Sequence, residues 1–248
     1  MQTLTDDYEL AADDRAAFLN DGFVKLTAVA DHDELNEMRA VYDRMFDETA
    51  ADSPYRKQLG GRDASGREQL PQILRPHEVA PELIKLRYWT RIGEIAKAMF
   101  GPDTEMRSSH AILKPAGFGI ATPWHQDQAY HRPTHRYRNI NFWLPLDAVT
   151  VEGGCMQYVR QTHAGSIIPH QHLDPDDKQT ALVAQDQDFW QANATAVPLE
   201  RGDVALHHSY CLHAAGPNHT DVPRRALIVV FEAPPVELDQ PWVYPWQA

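Results

Sequence analysis

Two side chains with metal-binding chemistry stand close together in Trp124-His125-Gln126-Asp127-Gln128. On an extended chain His125 and Asp127 point to the same side, so both can reach one ion. A neutral imidazole and a carboxylate suit a borderline divalent metal such as Fe(II), Mn(II) or Zn(II). Because a His and an Asp often occur at this spacing by chance, the motif alone predicts half of a metal site.

A third ligand has to come from a distant strand, and His213, within residues 209–218, is the candidate. Two histidines and one aspartate leave coordination positions open on an octahedral ion. An oxygenase needs such positions, because O2 and a bidentate co-substrate bind the same metal. The three residues therefore predict a catalytic metal centre.

An anionic co-substrate also needs an anchor, and Arg224 lies past the turn that follows His213. Its planar, permanently charged guanidinium matches a carboxylate in a bidentate pairing that Lys would reproduce poorly. Arg225 falls on the opposite face of the same predicted strand. We therefore expect Arg224, and not Arg225, to face the metal cavity.

Short strands are predicted to carry these residues. Apolar or alternating runs occupy residues 105–114, 137–146, 155–160, 195–199, 203–207 and 225–233. Turn residues separate them, as in Glu152-Gly153-Gly154 and Gly216-Pro217-Asn218. Many short strands with such turns indicate a sandwich or jelly-roll barrel, not a parallel sheet with alternating helices.

The earlier part of the chain is predicted to be helix-rich. Periodicity predicts helices over 12–21 and 31–47, a short strand over 22–26 between them, and a helix opened by Pro81. Residues 50–75 and 166–194 lack such periodicity, and we expect a long lid-like loop and a long excursion there. The expected whole is one domain over 1–248, with a helix-rich part at about 1–103 and a jelly-roll core at about 104–236.

Composition narrows the function classes. A formal net charge of -12 argues against nucleic acid and anionic membranes as partners, because both require clustered Lys and Arg. The N-terminal residues lack the basic and apolar regions of an export signal, and no apolar run is long enough to span a bilayer. Cys155 and Cys211 are too few for a disulfide framework, and we expect two buried thiols in a cytoplasmic protein with a small-molecule substrate.

Four segments carry a family resemblance: residues 18–24 (FLNDGFV), 124–127 (WHQD), 152–159 (EGGCMQYV) and 202–227, which include GDV, HAAGPN and PRRAL. Together they resemble the phytanoyl-CoA dioxygenase family of Fe(II)/2-oxoglutarate-dependent oxygenases. The resemblance implies a mainly β double-stranded β-helix (a cupin-like jelly roll) with flanking helices. It implies Fe(II) on His125, Asp127 and His213 and the distal carboxylate of 2-oxoglutarate on Arg224, with O2 as the oxidant.

The resemblance also implies Trp143 beside the co-substrate and a helping hydroxyl from Ser209 or Thr220. The usual outcome would be hydroxylation of a small metabolite, with release of succinate and CO2. The chain departs from the family pattern at residues 160–163 and at Ala214-Ala215, which leaves the substrate open. Since Asp127 matches the hydroxylases, halogenation is not expected.

Other polar residues are interpreted without a catalytic role. His131, His135, His170 and His172 are expected at the surface, His207 and His208 as structural histidines, and Lys114 as a solvated strand end. Two other classes of function remain open. A Zn or Mn cupin-like isomerase or hydrolase uses similar ligands but needs no Arg224. A catalytically silent binding protein on this fold should have lost a metal ligand.

Overall fold

The computed structural model describes residues 8–178 and 180–247. Its helices are α1 Ala12–Asp21, α2 His32–Glu48, α3 Pro76–Val79, α4 Arg87–Phe100 and α5 Gln187–Ala192, with 3-10 turns η1 Leu83–Lys85, η2 Asp127–Tyr130, η3 Thr162–Ala164 and η4 Pro245–Gln247. Its strands are β1 Phe23–Leu26, β2 Arg56–Gln58, β3 Pro71–Leu74, β4 Glu105–Lys114, β5 Thr122–His125, β6 His135–Pro145, β7 Met156–Tyr158, β8 His170–His172, β9 Leu182–Ala184, β10 Thr195–Val197, β11 Val204–His208, β12 His213–Ala215 and β13 Arg224–Glu237.

The strands form two main antiparallel sheets that face each other as a jelly roll. The major sheet has the order β1-β11-β6-β13-β4-β3-β2, and the minor sheet has the order β10-β7-β12-β5. A third, two-stranded ribbon pairs β8 with β9. The predicted mainly β jelly roll with flanking helices is confirmed. That residues 1–248 form one domain stays a prediction, although strands from before residue 104 belong to the major sheet.

The two faces of the major sheet pack against different parts of the molecule. On β13, Leu227, Val229 and Phe231 pack into the core beneath the helices. Their neighbours Ala226, Ile228 and Val230 face the minor sheet. This alternation follows from the period of two in a β-strand, and it sends Arg224 toward the space between the sheets.

Helices α2 and α4 cover the outer face of the major sheet. Asp31 and Glu34 form a capping box at the start of α2, which satisfies backbone donors that a helix end leaves free. The Glu34 side chain is buried, and it also accepts from the backbone of Tyr88 and from Arg91 of α4, at 2.8 and 3.1 Å. Because both charges of this pair are buried together, it fixes how the two helices meet. No helix in the described part of the chain is both long and apolar enough to cross a membrane.

Residues 166–194 lie outside the two main sheets, as expected of an excursion, and they contain the β8–β9 ribbon and α5. Two expectations about the elements were wrong. Residues 50–75 are not one loop, because β2 and β3 pair with each other and β3 extends the major sheet along β4. The helix expected from Pro81 begins only at Arg87, because Leu86 is extended and ends the preceding 3-10 turn. The helices predicted over 12–21 and 31–47 are confirmed to within one residue at each end.

Gly154, in the turn before β7, packs against the backbone that follows β12. Its geometry predicts that a substitution there lowers stability. Its φ is +79°, and a Cβ would lie 2.4 Å from the carbonyl oxygen of Gly216. Gly154→Ala should therefore lower the free energy of unfolding by about 2 kcal/mol or more, since backbone strain and overpacking each cost about 1 to 3 kcal/mol. Denaturant unfolding measures this.

Gly153→Ala is the matched control. The nearest atom to its added Cβ would be at 3.5 Å, an ordinary contact, and its φ is not positive. Its stability should stay within about 0.5 kcal/mol of wild type. Equal losses in the two variants would contradict this account of the turn.

Candidate metal centre and cavity

The minor sheet brings the predicted metal ligands together. His125 ends β5 and His213 begins β12, and the two residues are direct cross-strand partners. Asp127 opens the 3-10 turn η2 just after β5. The Oδ1 atom of Asp127 lies 3.6 Å from Nε2 of His125 and 3.8 Å from Nε2 of His213. The potential ligand atoms of the three residues all lie within 4.8 Å of one another, as a shared ion requires.

Both histidines present the same nitrogen to the centre. Nδ1 of His125 donates to the carbonyl of Pro123, and Nδ1 of His213 donates to the carbonyl of Cys211, each at 2.9 Å. Because a carbonyl only accepts, Nδ1 carries the hydrogen and Nε2 is left with a lone pair for a metal. Burial, with the nearby His125 and His207, holds the pKa of His213 well below its usual value, so its imidazole is neutral.

Asp127 is oriented by its other oxygen. Asn141 of β6 donates from Nδ2 to Oδ2 of Asp127 at 2.9 Å, which leaves Oδ1 directed toward the histidines. Desolvation raises the pKa of Asp127, but His213, His207 and His125 lower it by more, so the carboxylate stays ionised. The donor set is thus two imidazole Nε2 atoms and one carboxylate oxygen.

His207 is a neighbour of the centre that sequence reasoning interpreted as structural. Its Nε2 lies 3.6 Å from Oδ2 of Asp127, and its Nδ1 is 3.1 Å from the hydroxyl of Tyr158. The alternation of β11 could have identified it, since Ala205 and His207 share the inner face. His208, on the other face, packs against Phe18 and Phe100, in line with a structural role.

The three candidate ligands open into a cavity of about 560 Å³ between the sheets. Leu59 and Leu70, from the segment that joins β2 to β3, form part of its wall. Leu173 and Leu182, from the β8–β9 ribbon, form another part. Residues from both 50–75 and 166–194 thus line the cavity. Polar side chains, among them Gln72, His110, Asn139 and Asn141, share the wall with them.

Arg224 also lines this cavity, and Trp143 lies beneath it. The guanidinium carbon of Arg224 is 5.3 Å from the centre of the Trp143 ring. Arg224 is 6% exposed, and its Nε has no hydrogen-bond partner among the described residues. Burial lowers its pKa to about 10, so it remains charged near neutral pH. Arg225 instead pairs with Asp43 and Asp147 on the helix side of the sheet.

The two hydroxyls suggested as helpers lie apart from the cavity wall. Ser209 is fully buried, and its Oγ has no partner among the described residues. Thr220 donates within the turn that precedes β13, to Asn218 at 2.7 Å. Neither Ser209 nor Thr220 is among the residues that line the cavity.

Two expectations about exposed residues were wrong. Lys114 is not a solvated strand end, because it is fully buried. His170 is 4% exposed, since the β8–β9 ribbon folds back over η2 and His170 accepts the backbone N–H of Gln126. His131, His135 and His172 are half-buried. Cys155 and Cys211 are free and buried, as expected.

Comparison with known proteins identifies the family. The sequence model of the phytanoyl-CoA dioxygenase (PhyH) family matches residues 18–226. The chain belongs to this family. The crystal structure of EvdO2 from Micromonospora carbonacea var. aurantiaca superposes with a TM-score of 0.84 and 37% identity, over 96% of this chain and 97% of that one. EvdO2 has also been crystallised in complex with 2-oxoglutarate.

Curated relatives are more distant and longer. A probable alpha-ketoglutarate-dependent hypophosphite dioxygenase of Stutzerimonas stutzeri is 24% identical over 66% of this chain and 57% of its own length. A methylphosphonate hydroxylase of Gimesia maris is 29% identical over 58% of this chain and 51% of its own length. The chain thus spans little more than half the length of these two relatives.

The geometry predicts how metal affinity responds to substitution. His125→Ala, Asp127→Ala and His213→Ala should each weaken Mn(II) binding by more than about 100-fold, whereas Asn141→Ala, which only orients Asp127, should weaken it by about 10 to 100-fold. Titration followed by the electron paramagnetic resonance of free Mn(II) measures this. His219→Ala, at an exposed histidine, is the control and should bind as wild type. Wild-type affinity in any variant of the triad would show that the ion is held elsewhere.

Proposed function

We propose that this protein is a non-haem Fe(II)- and 2-oxoglutarate-dependent dioxygenase that hydroxylates a small molecule. The observation that carries the proposal is that one cavity contains both the cluster His125, Asp127 and His213 and the buried Arg224. Arg224 has no ionic partner among the described residues. Membership of the phytanoyl-CoA dioxygenase family supports the same reaction class.

The donor set fits Fe(II). Two imidazole Nε2 atoms and one carboxylate oxygen form the set that open, non-haem iron sites use, with positions left for other ligands. The hydrogen bonds of Nδ1 to backbone carbonyls orient both rings toward the ion. When bound, iron with 2-oxoglutarate and O2 supplies the oxidising power, and 2-oxoglutarate leaves as succinate and CO2.

Arg224 would bind the distal carboxylate of 2-oxoglutarate. A charged guanidinium with a free Nε, held over an aromatic ring, is prepared for a bidentate pairing with a carboxylate. The low dielectric around it strengthens that pairing. Trp143 would then form one side of the co-substrate pocket. A Zn or Mn isomerase has no use for this cation, and a silent binding protein would have no reason to keep all three ligands.

The cavity favours a compact substrate. Its volume of about 560 Å³ lies within the usual range for small-molecule sites, about 300 to 1,000 Å³. A CoA thioester would require a cluster of cations at the mouth. Arg136 and Arg138 pack over Tyr210 and Phe100 and are not among the residues that line the cavity, whose wall includes Arg107 and Arg224. Succinate formation supported by CoA thioesters and by no free acid or amino-acid derivative would contradict this part of the proposal.

A cytoplasmic location is part of the proposal, and it rests on the two free, buried thiols. Neither nucleic acid nor a membrane is proposed as a partner, given the net charge of -12.

The two adjacent arginines of β13 test the function. Arg224→Ala should raise the dissociation constant for 2-oxoglutarate at least tenfold, because truncating one partner of a buried charge pair costs about 2 to 5 kcal/mol. The measurement is the visible charge-transfer band of anaerobic Fe(II) protein titrated with 2-oxoglutarate. Arg225→Ala is the control, since its partners Asp43 and Asp147 lie on the outer side of the sheet. Equal effects, or no band in wild type, would argue against the proposal.

A further inference from the structure

Lys114, the last residue of β4, is a buried basic side chain. Neither the metal cluster nor the role of Arg224 explains why it is buried. Its side chain is 0% exposed, although Lys is almost never fully buried without a partner of opposite charge. Its Nζ donates to the carbonyl of Ala215 at 3.0 Å and to the carbonyl of Gly216. Two bonds to neutral carbonyls only partly offset the desolvation of an ammonium group.

Lys114 lies beside Arg224. The two residues are direct cross-strand partners of β4 and β13, and side chains directly opposite each other share one face of the sheet. Neither forms an ion pair with any carboxylate that the structure describes. Burial, and then the charge of Arg224, hold the pKa of Lys114 well below its usual value. A bound anion would offset the burial of Arg224 and would favour the ammonium form of the neighbouring Lys114.

Lys114 is also tied to the strand that carries the metal ligand. Ala215 ends β12, two residues after His213, and Gly216 follows it. Asn218 strengthens the link, since its Nδ2 donates to the carbonyl of Lys114 at 3.1 Å. Gly119 leaves room for this packing, because a Cβ there would lie 2.7 Å from Cβ of Lys114. The segment between His213 and Arg224 is therefore fixed on Lys114 at several points.

We propose that Lys114 is a second positioning residue for the distal carboxylate of 2-oxoglutarate. The hydrogen bonds of Nζ to the carbonyls of Ala215 and Gly216 fix the amino group beside Arg224. When the carboxylate is bound, the ammonium form of Lys114 is favoured, and its charge adds to the positive potential that Arg224 presents to the carboxylate. The inference rests on the proposed function, and it concerns the carboxylate end of the co-substrate only.

A purely structural clamp would behave differently from a group that acts on the carboxylate. Loss of a clamp would disturb β12 and weaken every ligand of the metal alike. Loss of a positioning charge would weaken only ligands that carry the distal carboxylate. A matched pair of 2-oxo acids separates the two cases: 2-oxoglutarate, and 2-oxopentanoate, which has the same chain length but ends in a methyl group.

The test uses Lys114→Met, which removes the charge at similar volume, and Lys114→Gln, whose neutral amide can still donate to a carbonyl. Affinity for each 2-oxo acid is measured from the charge-transfer band of the anaerobic Fe(II) protein, and thermal unfolding is followed in parallel. We expect 2-oxoglutarate to bind about 10 to 100-fold more weakly to both variants, the range for groups that support a metal site. Binding of 2-oxopentanoate should change by less than about twofold. Lys97→Met, on the exposed side of α4, is the control and should match wild type.

The outcomes separate this inference from the function on which it rests. Equal weakening of both 2-oxo acids, or unchanged affinity for 2-oxoglutarate, would overturn the role of Lys114. If Lys114→Met does not fold, Lys114→Gln decides, because it keeps a donor for the carbonyls. Failure of wild type to bind 2-oxoglutarate would overturn the proposed function itself, and this inference with it.

Discussion

The geometry of the centre depends on one cross-strand pair, His125 opposite His213, in the minor sheet. Residues directly opposite in an antiparallel pair bring their side chains within about 4.5 to 5.5 Å at Cβ, and here this places two imidazoles side by side. Each ring is then oriented by a carbonyl two residues earlier in the chain. Asp127 completes the set because the chain turns immediately after β5, and Asn141 of β6 orients its carboxylate. The register of two short strands thus brings the two histidines together, and the major sheet supplies the side chain that orients the third ligand.

The major sheet places two adjacent arginines on its opposite faces. Strand alternation sends Arg225 to the helix side, where Asp43 and Asp147 neutralise it. It sends Arg224 inward, next to Lys114 and over Trp143, where no described carboxylate pairs with it. The buried pair of Arg91 with Glu34 shows how this chain compensates a buried charge when it serves the fold. The uncompensated charge of Arg224, with Lys114 beside it, therefore favours binding of an anion, at some cost in stability.

Sequence alone predicted the parts of this arrangement that depend on local pattern. Helices α1 and α2 follow from their apolar spacing, and the opposite faces of Arg224 and Arg225 follow from strand alternation. Strands β2 and β3 were missed because they have only three and four residues, which is too short for a periodic signal. Pairing of β2 with β3 and of β3 with β4 holds them in place. The contact of His207 with Asp127 and the burial of Lys114 depend on how the two sheets close on each other, and residue spacing carries no information on that. Ser209 and Thr220 were suggested by resemblance, but neither lines the cavity, and Thr220 bonds within its own turn.

The central claim is that one ion on His125, Asp127 and His213 and one carboxylate on Arg224 share the cavity. An anaerobic crystal structure of the protein with Fe(II) and 2-oxoglutarate tests it most directly. The account predicts iron bonded to Nε2 of both histidines and to a carboxylate oxygen of Asp127, with the 2-oxo acid chelating the iron and its distal carboxylate paired with Arg224. Iron bound at other residues, or 2-oxoglutarate with its distal carboxylate directed away from Arg224, would contradict it.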